Sequence, residues 1–283
     1  MIPANASVFR PKDNAIARIF GRRQAVIGVI HAMPLPGSPH YDGAPVQVLY
    51  DHARAEAERY RAGGVDGLIV ENHGDIPFAK PDELGPETAA TMAVMTELVR
   101  RETGLAVGVN VLANGAVQAL AVAKASGAQF VRVNQWANAY VANEGFMEGK
   151  AGAASRYRSW LRAGDVAVFA DVHVKHGAHA IVADRSLTEL TRDAAFFDAD
   201  AVIVTGQRTG DGANLDDLET VRGSTTLPVL VGSGVTPDNV AAILRFADAV
   251  IVASALKHEG GWWNEVDPVR LARFMGVVRA VRR

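Results

Sequence analysis

Residues 169–179 read FADVHVKHGAH, and within them Asp171, His173 and Lys175 alternate with Val172 and Val174. Successive side chains of a strand point to opposite faces, so the three polar residues share one face and the two valines the other. Such a strand belongs either at the wet edge of an open sheet or in a closed barrel, with its polar face toward the axis. The rest of the chain decides between the two.

The stretch overlaps one of eight short apolar runs: AVIGVIH (25–31), GLIVEN (67–72), LAVGVNVL (105–112), FVRVNQ (130–135), VAVFADVHVK (166–175), AVIVTG (201–206), PVLVGSG (228–234) and AVIVAS (249–254). The segments between them are patterned as helices. Val46, Leu49, Ala53, Ala57 and Tyr60 recur at steps of three and four, and Gly63–Gly64 ends the pattern. Ser186 and Glu189 have capping-box spacing, and Thr236–Pro237 and Asp267–Pro268 read as an N-cap followed by a first-turn proline. Alternating strands and helices imply parallel strands with helical crossovers. Eight such units in about 250 residues predict a (β/α)8 TIM barrel. A doubly wound open sheet would carry a glycine-rich fingerprint after its first strand. Here HAMPLPGSPHYDG (31–43) follows instead. The prediction is one α/β barrel domain over 25–283, preceded by a short N-terminal extension, 1–24, whose AIARIF segment reads as a helix.

Composition sets outer limits. The chain has 283 residues, 49% of them hydrophobic and 21% charged, which is enough apolar material for a sizeable core. A net charge of −2 leaves no electrostatic footprint for nucleic acid or anionic lipid. The absence of cysteine removes disulfides, thiolate metal sites and a cysteine nucleophile, and fits a cytoplasmic protein. No apolar run reaches about 18 residues, so no membrane insertion is expected. The expected partner is a small phosphorylated substrate, and the expected assembly a homo-oligomer.

A barrel strand turns one face to the helices and one to the axis. Val172 and Val174 then face helices, while Asp171, His173 and Lys175 face inward, with Lys175 nearest the C-terminal mouth where barrel active sites lie. The same parity turns Glu71, Asn110, Arg132, Asn134 and Thr205 inward, and His31 ends the first strand. Polar side chains on six strands are expensive to bury without a purpose.

Lys175 and His173 are candidate proton-transfer groups: a desolvated lysine titrates low and suits Schiff-base or base chemistry, and histidine titrates near neutrality. Glu71 and Asp75, in ENHGDIPF (71–78), read as paired carboxylates that divide acid and base roles. Asp75 reads equally as a cap for loop backbone. Asp171 is a further catalytic candidate, although a structural ion pair with Arg132 competes with that reading. His31, Asn110, Arg132, Asn134 and Thr205 are candidate substrate contacts. Gly232, Ser233, Gly234 and Val235, with Ser254 after the eighth run, occupy the position where many barrels bind phosphate. GQRTGDG (206–212) reads as a mobile mouth loop. No cofactor is demanded, because no metal-binding spacing such as HExxH occurs, yet Glu71, Asp171, His173 and His31 are acceptable ligands for a divalent ion.

VIGVIHAMPLPGSPHYDG (26–43), DGLIVENHGDIPF (66–78), ADVHVKHGAH (170–179), VTGQRTG (204–210) and VLVGSGVTPDNV (229–240) together resemble the BtpA/SgcQ family over most of the chain. The resemblance implies a (β/α)8 barrel related to ribulose-phosphate-binding barrels. One branch of that family is named for photosystem I biogenesis and another sits in sugar-utilisation gene clusters. More distantly, Glu71 followed by a loop carboxylate resembles the acid–base loop of the tryptophan synthase α-type barrel, a retro-aldol lyase. The combined expectation is a lyase or isomerase of a phosphorylated, carbohydrate-like substrate that abstracts a proton next to a carbonyl. The alternatives are a non-catalytic photosystem I assembly factor and a hydrolase of phosphorylated nucleosides.

Overall fold

The computed structural model describes residues 12–206 and 214–282. The strands β1 (Ala25–His31), β2 (Gly67–Glu71), β3 (Ala106–Asn110) and β4 (Phe130–Val133) pair side by side in chain order. A hairpin, β5 (Ala139–Ala142) and β6 (Gly145–Glu148), stands outside the barrel. Four more strands, β7 (Ala167–Asp171), β8 (Ala201–Val204), β9 (Val229–Val231) and β10 (Ala249–Val252), complete the circuit, and β10 pairs with β1. The result is a closed barrel of eight parallel strands, one in each predicted apolar run. The hairpin had no counterpart in the sequence reading.

Helices α1 (Ala15–Phe20), α2 (Val46–Gly63), α3 (Pro86–Thr103), α4 (Ala116–Ser126), α5 (Ala151–Trp160), α6 (Leu187–Phe196), α7 (Leu215–Ser224), α8 (Val240–Ile243) and α9 (Pro268–Val281) follow the chain. The predicted caps of two of them form: the Ser186 side chain accepts from the Glu189 amide, and Asp267 accepts from Val269 and Arg270. The cap predicted at Thr236–Pro237 does not. Residues 237–239 make a turn, and the Asn239 side chain takes the Thr236 amide before the four-residue α8 begins.

Strand parity separates two apolar layers. Leu68, Val70, Val107, Val109, Val131, Val133, Val202 and Val204 face out and pack against the helices. Ile27, Ile69, Phe130, Phe169, Ile203, Leu230 and Ile251 fill the barrel. Phe130 and Phe169 stack with centroids 4.6 Å apart, and α1 closes the bottom by setting Phe20 edge-on against Phe130 and burying Ile16. Gly108 is required there: a Cβ would lie 2.2 Å from the Phe130 ring. Because the lower barrel is packed solid, polar inward residues are left only at the C-terminal end. No helix among the described residues is long and apolar enough to cross a membrane.

Candidate active site

Register builds the site before any side chain is placed. His31 pairs with Glu71 and Glu71 with Asn110, so three inward polar residues form one row at the ends of β1, β2 and β3. Asn110 Nδ2 donates to Glu71 Oε2 at 2.6 Å. His73, two residues beyond Glu71, donates from Nδ1 to Glu71 Oε1 at 3.0 Å. His31 stacks on His73 with centroids 4.6 Å apart. The His31 Nδ1 donates to the Trp262 carbonyl at 2.9 Å, and the indole of Trp262 packs edge-on against both imidazoles.

The opposite wall starts from β4 and β7. Arg132 donates to Asp171 from Nη2 at 3.1 Å and from Nε at 3.3 Å, and Asn134 adds a bond at 3.2 Å. The Asp171 side chain is fully buried and its two oxygens are taken by these partners, so it is a support for Arg132. The structural-pair reading of Arg132 and Asp171 therefore describes the geometry.

A cavity of about 230 Å³ opens at the C-terminal mouth. It is lined by His31, Glu71, His73, Arg132 and Lys175 on one side and by Gly232–Thr236, Ala253–Ala255 and Gly260 on the other. Of the residues selected from sequence, Glu71, Lys175, His31, Arg132, Gly232, Ser233, Gly234, Val235 and Ser254 meet here. Gly232 keeps the cavity open, since a Cβ would lie 2.5 Å from Ile203 Cγ2 and 3.3 Å from Arg132 Nη2. Ser233 uses its hydroxyl to accept from the Gly206 amide, which fixes the turn after β9 against the end of β8.

Six selected residues lie elsewhere. Asn110, Asn134 and Asp171 stand one layer behind the cavity and orient Glu71 and Arg132. Asp75 is a loop fastener: its Oδ1 accepts from the Leu35 amide at 2.8 Å and its Oδ2 from Asn72 Nδ2 at 3.0 Å. It therefore does not pair with Glu71 as a second acid–base carboxylate, and burial pushes its carboxyl up. His173 does not face the axis. The strand stops at Asp171: its last pairs are Ala170 with Val133 and Asp171 with Ile203, and Val172 makes the last ladder bond, to Ile203. The chain then turns away to bridge Val141 with Ala178, so alternation no longer holds. Val172 still faces helices, but Val174 packs on Tyr140 and Met147 at the hairpin. His173 stacks on His179 with centroids 3.7 Å apart in a neighbouring cavity of about 500 Å³. Thr205 lines that second cavity too and donates its hydroxyl to the His173 carbonyl at 3.0 Å. The predicted mouth loop, 206–212, falls outside the described residues beyond Gly206.

Electrostatics distinguish the groups that remain. Burial alone would raise the Glu71 carboxyl, but the hydrogen bond and charge of His73, with His31 and Arg132 beyond it, hold it well below the usual carboxylate range. Burial pushes His31 down to about 3, so it is neutral at physiological pH. Lys175 is pushed down by burial and then by the charge of Arg132, against the pull of Glu71 and Asp171. The cavity therefore holds an ionised carboxylate, a neutral imidazole, a permanent cation and an amine whose charge burial disfavours.

His73 and Trp262 are the residues that sequence reading missed. His73 carried one usable signal, its place two residues after Glu71 in the loop that follows β2, although parity is no longer enforced past the strand end. Trp262 carried none: it reaches His31 across 231 residues of chain.

The fold is shared with enzymes of low sequence identity. Tryptophan synthase from Mycobacterium tuberculosis superposes with a TM-score of 0.58 at 18% identity, over 95% of this chain and 98% of that one. Thiamine phosphate pyrophosphorylase from Pyrococcus furiosus gives 0.57 at 14% identity, over 95% and 99%. Sequence relatives are much nearer. An uncharacterized protein of Archaeoglobus fulgidus is 42% identical over 92% of this chain and 99% of its own. The photosystem I biogenesis protein BtpA of Synechocystis is 38% identical over 90% of this chain and 88% of its own. A protein-family model, the BtpA family, matches residues 22–280, and the chain belongs to that family.

Proposed function

We propose that the protein is an enzyme acting on a small phosphorylated, carbohydrate-like molecule, and that it abstracts a proton next to a carbonyl in an isomerase or lyase reaction. The observation that carries this reading is the pairing, in one cavity, of Lys175 and Arg132 with the small-residue turns Gly232–Val235 and Ser254–Ala255. The turns let a phosphate approach backbone closely, as turns after the last barrel strands do in many barrels. Arg132 is the permanent cation for charge that develops on the substrate carbonyl oxygen, held in place by Asp171. Lys175, shifted toward its neutral form, takes the proton or attacks the carbonyl. A non-catalytic assembly role is what the name of the Synechocystis relative suggests. Such a role gives no reason to keep a desolvated lysine beside a paired arginine inside a barrel mouth.

The test is proton exchange. Three- to six-carbon sugar phosphates are incubated with the protein in D2O and followed by proton NMR. Loss of the signal from hydrogen on the carbon next to the carbonyl, for the phosphorylated sugar and not its dephosphorylated form, is the expected result. Absence of exchange, cleavage or Schiff-base trapping across the panel would sink the reading.

A further inference from the structure

His31, Glu71 and His73 form a group that the proton-transfer reading leaves unused. One ring nitrogen of each histidine and one oxygen of Glu71 all lie within 4.8 Å of one another. The tautomer of His31 is fixed by geometry. Its Nδ1 faces the Trp262 carbonyl at 2.9 Å, and a carbonyl only accepts, so Nδ1 carries the hydrogen. Nε2 is then the nitrogen left to act as a ligand, and it faces Glu71 Oε1 at 3.8 Å. Glu71 Oε1 also accepts from His73 Nδ1 at 3.0 Å, so the three groups converge on one corner where the His31 and Glu71 side chains are less than a tenth exposed.

The remaining geometry suits a metal. A histidine whose second nitrogen donates to a backbone carbonyl is oriented as metal-bound histidines are. Asn110 supports the carboxylate from behind by donating to its other oxygen, Oε2. First-row divalent ions hold nitrogen and oxygen donors at about 2.0–2.2 Å. The 3.8 Å between His31 Nε2 and Glu71 Oε1 is spanned by two such bonds. His73, half-buried on the loop after β2, offers a ring nitrogen within 4.8 Å of the other two ligand atoms as the third donor. Two imidazoles and one carboxylate with no sulfur select a zinc- or manganese-type ion over calcium or magnesium.

We propose that His31, Glu71 and His73 bind one first-row divalent transition ion at the edge of the mouth cavity. Three protein donors leave open positions, and those face the cavity that also holds Arg132 and Lys175. A substrate oxygen taken up there would be polarised beside Lys175. That role rests on the proposed function; the binding of the ion does not.

The experiment uses full-length protein stripped with a chelator. Zinc chloride is titrated calorimetrically, and cobalt chloride is titrated while visible absorption is read. One ion per chain, with a cobalt spectrum of nitrogen and oxygen coordination, is expected. His73→Asn is expected to weaken zinc binding by at least about tenfold, the smaller loss seen even for residues that only support a ligand. Glu71→Gln should do the same, with thermal melts of the metal-free variants confirming that each is folded. His40→Asn, which removes an exposed histidine, should bind as the wild type does. No stoichiometric binding by the wild type, or binding equally tight in His73→Asn, would overturn the site. Inorganic phosphate is titrated separately into the metal-free protein. Zinc binding without phosphate binding or carbon-bound proton exchange would keep the metal site and discard the sugar-phosphate reading. The reverse pattern would discard the metal site alone.

Discussion

Lys175 lies half-buried at the cavity wall, and its charge is what the surroundings disfavour. Lys175→Met keeps the aliphatic stem and removes the amine. Folding should be nearly unchanged, and turnover on a sugar phosphate that undergoes exchange should fall at least about 10²-fold, the lower end for losing a general acid–base group. Borohydride trapping of the wild type with that substrate separates a Schiff base from a simple base. Arg132 behaves differently, because its removal strands Asp171, whose side chain is fully buried. Arg132→Met should cost about 3–5 kcal/mol in urea denaturation, and Arg132→Met with Asp171→Leu should recover part of it. Legibility at this scale followed the ladder. Glu71 and Arg132 lie on hydrogen-bonded strand, where parity is dependable, and they face inward as read. His173 lies two residues past the end of β7, where no neighbouring strand enforces the alternation. Asp75 was open to two readings from sequence, and its bond to the Leu35 amide shows a loop fastener.

The strands themselves were readable because each is a short run of apolar residues, many of them β-branched, buried on both faces. Their ends were not, because an end depends on where the neighbours stop. The hairpin β5–β6 was missed for a related reason. Its residues 139–148, AYVANEGFME, bury only Tyr140 and Met147, too few for a periodic signal. The short α8 shows local capping chemistry overruling a Thr-Pro start signal, through the side chain of Asn239. Packing inside the barrel gives a test at this scale. Gly108→Ala drives a methyl group into the Phe130 ring, which is itself held by Phe169 and Phe20. A destabilisation of about 1–3 kcal/mol is expected from overpacking, read as a lower melting temperature. Phe130→Leu in the same chain should return part of it.

Across the whole molecule, the barrel is sealed where the first crossover helix meets the last loop. Glu56, on α2 and fully buried, accepts from Lys257 Nζ at 2.9 Å, from the Val266 amide at 3.0 Å and from Arg59 at 2.9 Å. Burial alone would raise its carboxyl, but Lys257, the Val266 amide and nearby His52 hold it below its ordinary 4.5. A carboxyl that titrates lower in the folded chain than in the unfolded one stabilises the fold above the unfolded value. That contribution is lost as pH falls from about 4.5 through the folded value. Denaturant midpoints measured between pH 7 and pH 3 should therefore drop in this window. Glu56→Gln should begin about 3–5 kcal/mol lower at neutral pH, with Lys257 left unpaired, and should show a smaller drop on acidification. The eightfold count was legible because it repeats. This seal was not, since it joins Glu56 to a lysine 201 residues away and no periodicity marks it.

The contact between His31 and Trp262 has a consequence for biosynthesis. His31 is among the first residues of the barrel to leave the ribosome, and the carbonyl that fixes its tautomer arrives 231 residues later. At typical elongation rates of about 5–20 residues per second, that interval is on the order of ten seconds or more. During it, the first strands can pair while His31 and His73 still lack the indole that packs against them. A nascent chain arrested before Trp262 would carry nearly every side chain of the mouth and still present an unfinished pocket.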